Sequence, residues 1–136
     1  QWFGRLPDYA VEVRRIPVHE QDSSPGGYYT GPSLDGSRPG VYWINLKDAG
    51  DNPIHSLKTL TYHEAVPGHH FQTAYQRSIE GMPLMRTMLG YSEYAEGWGL
   101  YAEALAAEMG MYKDDPAGNL GRLQAELFRA ARLVVD

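Results

Sequence analysis

The chain has 136 residues, with 12 Lys plus Arg against 17 Asp plus Glu and a formal net charge of −5. Its length suits one domain, and a hydrophobic fraction of 43% supports a packed core and excludes a disordered chain. The acidic balance speaks against nucleic acid as a partner, and no apolar run is long enough to span a bilayer. With no cysteine, any metal must be held by His and carboxylates.

Residues 1–53 carry turn-forming clusters: Pro25-Gly26-Gly27, Gly31-Pro32, Asp35-Gly36 and Pro39-Gly40. Between them, Ala10-Val11-Glu12-Val13 alternates and Gly40 to Leu46 is a β-branched and aromatic run of strand length. From Asn52 the pattern turns helical, with Asn52 as N-cap and Pro53 at the first helical position. That helix runs towards Pro67-Gly68, which must kink or break it. A second helix covers about His69 to Ile79, and a third runs from about Glu93 through Met109 to a capping Gly110. Asp115-Pro116 opens a fourth, whose Leu120, Leu123, Leu127 and Val134 share one stripe. The expected fold is α+β: short strands and loops in residues 1–53, then about four helices in 54–136.

Gln1-Trp2-Phe3 reads neither as an initiator nor as a signal peptide, so the compartment stays open. Arg132 to Asp136 stops inside an apolar helical pattern without a cap. Both ends read as those of a single piece, residues 1–136, of a longer polypeptide.

The chemistry concentrates in Thr61-Tyr62-His63-Glu64-Ala65-Val66-Pro67-Gly68-His69-His70, which holds three of the five histidines beside a glutamate. Imidazole is the commonest nitrogen ligand for zinc, and a neighbouring carboxylate can take a proton from metal-activated water. In the motif H-E-x-x-H the two His lie four apart on one helical face and the Glu is the general base. Here position 67, four after His63, is proline, so the second ligand must come from further along. On a straight helix His69 would lie about 9 Å along the axis on the wrong face, and His70 about 10.5 Å along on the right one. A bulge at Pro67-Gly68 brings His69 to the i+4 place if two residues loop out, and His70 if three do. The Gly-His pair before a helical continuation favours His69.

His63-Glu64-Ala65-Val66-Pro67-Gly68-His69-His70-Phe71-Gln72 resembles the signature of the bacterial domain-of-unknown-function family eight hundred and eighty-five. The resemblance extends upstream to Tyr28-Tyr29 and to Pro32-Ser33-Leu34-Asp35-Gly36-Ser37-Arg38-Pro39-Gly40. Downstream it takes in Glu96-Gly97-Trp98-Gly99-Leu100-Tyr101-Ala102-Glu103, Gly121-Arg122-Leu123 and Arg132 to Asp136. Members of that family are considerably longer and look like zinc metallopeptidases of the gluzincin type, with two His and a downstream Glu on the metal. Gly68-His69 also resembles the end of H-E-x-G-H in thimet-type oligopeptidases, with two residues inserted.

The resemblance implies a zincin-like core fragment binding Zn²⁺ through His63, His69 and Glu96, with Glu93 and Glu103 as rivals for the third position. Glu64 would be the general base and His70 the local candidate for an oxyanion donor. Glu103, two turns after Glu96, could orient a ligand His. The implied substrate is a peptide. A small non-peptide amide or ester, or a metal-binding module without catalysis, are the other readings, and an isolated fragment can keep zinc yet lack activity. Further partners are the remaining parts of the full-length chain.

Other residues have plainer readings. Gly97 and Gly99 each cost a helix about 1 kcal/mol relative to Ala, which fits a close approach by another group. Tyr91, Tyr94, Trp98 and Tyr101 recur at helical spacing and read as core. Tyr42 and Trp43 fill a strand, His19 and His55 read as surface or capping residues, and Arg122, Glu126 and Arg129 as a solvated helix face.

Overall fold

The computed structural model describes residues 2–135. A three-stranded sheet is formed by β1 (Val11–Arg15), β2 (Gly27–Thr30) and β3 (Gly40–Ile44), in the order β1-β3-β2. The central β3 runs parallel to β1, with Val11 opposite Gly40, and antiparallel to β2, with Gly27 opposite Ile44. A 3-10 turn, Val18–Ser23, joins β1 to β2. Five helices follow among the described residues: α1 (Ile54–Glu64), α2 (His69–Arg77), α3 (Leu84–Met88), α4 (Ser92–Glu108) and α5 (Pro116–Val135). The fold is therefore α+β with a helical C-terminal part. The short α3 was not expected, and neither was β2, whose Gly-Tyr-Tyr-Thr follows a cluster of turn residues.

Residues of small volume bring the helices close. Ala102 and Ala106 on α4 and Ala74 on α2 are fully buried, and Ile16 and Tyr42 fill the space beside the sheet. Helix α1 is pinned to the α4–α5 turn: Thr59 Oγ1 lies 2.8 Å from the Tyr112 hydroxyl, and Lys58 pairs with Asp115 at 3.1 Å. Asp115 in turn accepts from the Gly118 N–H at 2.8 Å at the start of α5.

Three local expectations are corrected. Asn52 does not cap α1; Pro53 occupies that place. The Asn52 side chain is buried and donates to the carbonyls of Asn45 and Gly26 (2.8 and 3.2 Å), tying the strand region to the helix start. The stripe of Leu120, Leu123, Leu127 and Val134 faces outward, because α5 approaches α1 at Gly121. A Cβ on Gly121 would overlap the His55 carbonyl oxygen, so only glycine permits that approach. Tyr91, Tyr94 and Tyr101 are more than half exposed rather than core, whereas Trp98 stacks on Phe71 at 6.3 Å.

Candidate metal centre

Helix α1 ends at Glu64 and α2 begins at His69, so Ala65 to Gly68 form a break between two helices rather than a bulge in one. The Val66–Pro67 peptide is cis. Gly68 has φ −77°, and its need for glycine is steric: a Cβ would overlap the carbonyl oxygens of Tyr62 and His63. The Trp98 indole N–H, from α4, donates to the carbonyls of Pro67 (2.8 Å) and Gly68 (3.2 Å). That bond ties the turn to the helix that carries Glu96.

The break sets His69 beside His63. Their rings meet edge to face with centroids 4.6 Å apart. Glu96 completes the group: Oε2 lies 3.3 Å from His63 Nε2, and Oε1 lies 3.6 Å from His69 Nε2. One ligand atom from each of the three falls within 4.8 Å of the others. Zinc bonds of about 2 Å in a tetrahedron place neighbouring ligand atoms roughly 3.3 Å apart, so these separations suit a bound cation. Two imidazole nitrogens and a carboxylate oxygen are also a donor set that zinc accepts.

The supporting residues orient these donors. His63 Nδ1 lies 2.7 Å from Glu103 Oε1; a carboxylate can only accept there, so Nδ1 carries a proton and Nε2 is the ring atom turned towards Glu96. Glu103 is 2% exposed and is gripped by both terminal nitrogens of Arg129 (2.9 and 2.7 Å). Arg129 therefore does not belong to a solvated face, as its surroundings in sequence suggested. Gly99 faces His63, and a Cβ there would stand 2.5 Å from the ring's Cε1, whereas Gly97 meets nothing within 4 Å. The rival Glu93 takes no part in the three-residue group.

Charge and burial act differently on the neighbouring groups. Burial opposes the charged form of His63, but the bond and charge of Glu103 outweigh it and push its pKa up. Burial, reinforced by the charge of His63, pushes the pKa of His69 down. Glu64 is buried beside the group, and desolvation holds its carboxyl above the usual range despite the attraction of His63.

His70 faces away from this group. Its Nε2 lies 3.0 Å from the Tyr9 carbonyl and must donate, so Nδ1, 2.9 Å from the Tyr29 hydroxyl, accepts. Both nitrogens are committed to protein, and burial lowers its pKa. The geometry therefore gives it a role in joining α2 to the sheet region, in place of the oxyanion donor expected from sequence. Gly40 makes room for this contact, since a Cβ would come 2.7 Å from His70 Nδ1. Sequence reasoning gave no structural role to Tyr29, to the indole of Trp98 or to Arg129. Each acts across the fold, and no local pattern marks it.

A family model described as bacterial protein of unknown function (DUF885) matches residues 1–136, and the chain belongs to that family. A solved structure described as "the putative lipoprotein from Colwellia psychrerythraea" is 58% identical, with a TM-score of 0.94. The match covers 98% of this chain and 23% of that one, so the chain spans about a quarter of its neighbour's length. No curated protein matches the chain. Among the described residues no helix is long and apolar enough to cross a membrane.

Proposed function

We infer that this chain carries the catalytic centre of a zinc-dependent hydrolase whose substrates are peptides. The observation that supports the reading is the convergence of His63, His69 and Glu96 with a buried glutamate immediately after the first ligand. A structural metal site has no use for a general base there. Bound at these three residues, zinc supplies Lewis-acid polarisation of a carbonyl and makes a water acidic enough to lose its proton near neutrality.

The chain's own residues do the rest. Glu64 accepts a proton on its carboxylate from the attacking water and returns it to the leaving amine, acting first as base and then as acid. Glu103 and Arg129 hold the His63 ring so that Nε2 faces the centre. Glu96 is two-thirds exposed at its side chain, which supports an approach of substrate from that side.

The test is hydrolysis of a panel of blocked and unblocked dipeptides against acyl amides and esters by the full-length protein. Peptide cleavage is expected, and Glu64→Gln should abolish it while leaving zinc content nearly unchanged. The amide keeps the shape of the carboxylate and cannot accept the proton. Loss of zinc from Glu64→Gln as complete as from His63→Ala would make Glu64 a ligand and overturn the mechanism. Cleavage of acyl amides or esters alone would overturn the substrate class.

A further inference from the structure

The loop between β2 and β3 serves no part of the metal centre, yet it is built with care. Ser33 N–H donates to the Arg38 carbonyl (3.1 Å) and Arg38 N–H to Ser33 Oγ (2.9 Å). Asp35 Oδ1 accepts from both the N–H and the hydroxyl of Ser37 (3.0 and 2.7 Å). The loop thus keeps its shape through its own bonds, and one oxygen of its acid is already taken. It walls an open groove of about 630 Å³ whose other side is Arg77, the last residue of α2.

Arg77 is the unusual member. Its guanidinium lies against Gly31, where a Cβ would stand 3.2 Å from Nη2. Nη1 is buried and has no hydrogen-bond partner among the described residues. None of the described ion pairs uses Arg77 or Arg38, the second guanidinium of the groove. Because Nη1 is closed to solvent, a ligand in the groove meets Arg77 through the other atoms of its guanidinium, which carry the same charge. Arg77 also acts on the Tyr29 hydroxyl, which is bonded to His70, so the groove backs onto the helix that carries His69.

We propose that this groove binds the free C-terminal carboxylate of a short peptide, held by Arg77 and Arg38. A guanidinium fork matches a carboxylate in shape and charge. Two arginines and Asp35 leave a net charge of +1 in the groove, which suits a monoanion better than a phosphate dianion. Pro32 and Leu34 give it an apolar wall for the terminal side chain. The choice of a peptide rests on the hydrolase reading above; the demand for a carboxylate rests on the groove alone.

The experiment is calorimetric titration of the full-length protein, kept metal-free with a chelator, with N-acetyl-leucyl-leucine and with its C-terminal amide. The acid should bind at least tenfold more tightly than the amide. Arg77→Gln, and separately the exposed Arg38→Gln, should remove that preference. Equal affinity for acid and amide, binding of neither, or a preference that survives Arg77→Gln would overturn the proposal. Should Arg77→Gln not fold, the comparison of acid and amide on the unaltered protein and on Arg38→Gln still decides. Because no metal is present, failure here leaves the hydrolase reading standing, and failure of hydrolysis leaves the groove's preference to be measured.

Discussion

Consecutive residues of a helix point about 100° apart, and that rotation sends His69 and His70 to different partners. His69 meets His63 and Glu96; His70 bridges the Tyr9 carbonyl and the Tyr29 hydroxyl. His70→Ala should therefore leave metal binding intact and act on stability, lowering it by about 2–3 kcal/mol through two lost hydrogen bonds and a cavity. Urea denaturation measures this. The two glycines of α4 make a second contrast. Gly99→Ala would press a methyl group into the His63 ring and should weaken zinc binding by tenfold or more, read by competition with a chromogenic chelator. Gly97→Ala meets open space and should stabilise the helix by about 1 kcal/mol with metal affinity unchanged. From sequence the two positions were equivalent, because mid-helix glycine shows only that a side chain is absent. Which neighbour fills the space is a tertiary fact.

At the scale of elements, α1, α2, α4 and α5 were legible, because Pro67-Gly68, Gly110 and Asp115-Pro116 are strong local punctuation. The five-residue α3 has too few turns to show a period, and β2 is hidden by the turn residues before it. Asn52 looked like a cap because its type and place fit one; the buried carbonyls of Gly26 and Asn45 won its side chain. The four residues Leu120, Leu123, Leu127 and Val134 do share one stripe, and it faces outward because α5 packs by Gly121 and by Arg129 instead. Arg129 links α5 to α4 through Glu103, and Glu103 links α4 to α1 through His63. Arg129→Gln leaves Glu103 buried with its charge poorly paired and His63 less firmly oriented. It should lower zinc affinity about 10–100-fold while circular dichroism remains that of the folded protein. An unchanged affinity would show that Glu103 needs no help from α5.

Over the whole molecule, three donors arrive from three helices: His63 from α1, His69 from α2 and Glu96 from α4. The sheet holds α2 through Tyr29 and His70, and the Trp98 indole holds the α1–α2 break against α4. The site was partly legible because two donors and the adjacent glutamate lie within seven residues. Glu96 rested on the resemblance, since carboxylates are common on helix surfaces. The zinc site is tested by elemental analysis of the full-length protein, purified without chelators and resupplied with zinc, beside its His69→Ala and His70→Ala variants. About one zinc per chain is expected in the unaltered protein and in His70→Ala, and none in His69→Ala. No transition metal in the unaltered protein, or zinc retained by His69→Ala and lost from His70→Ala, would contradict that site.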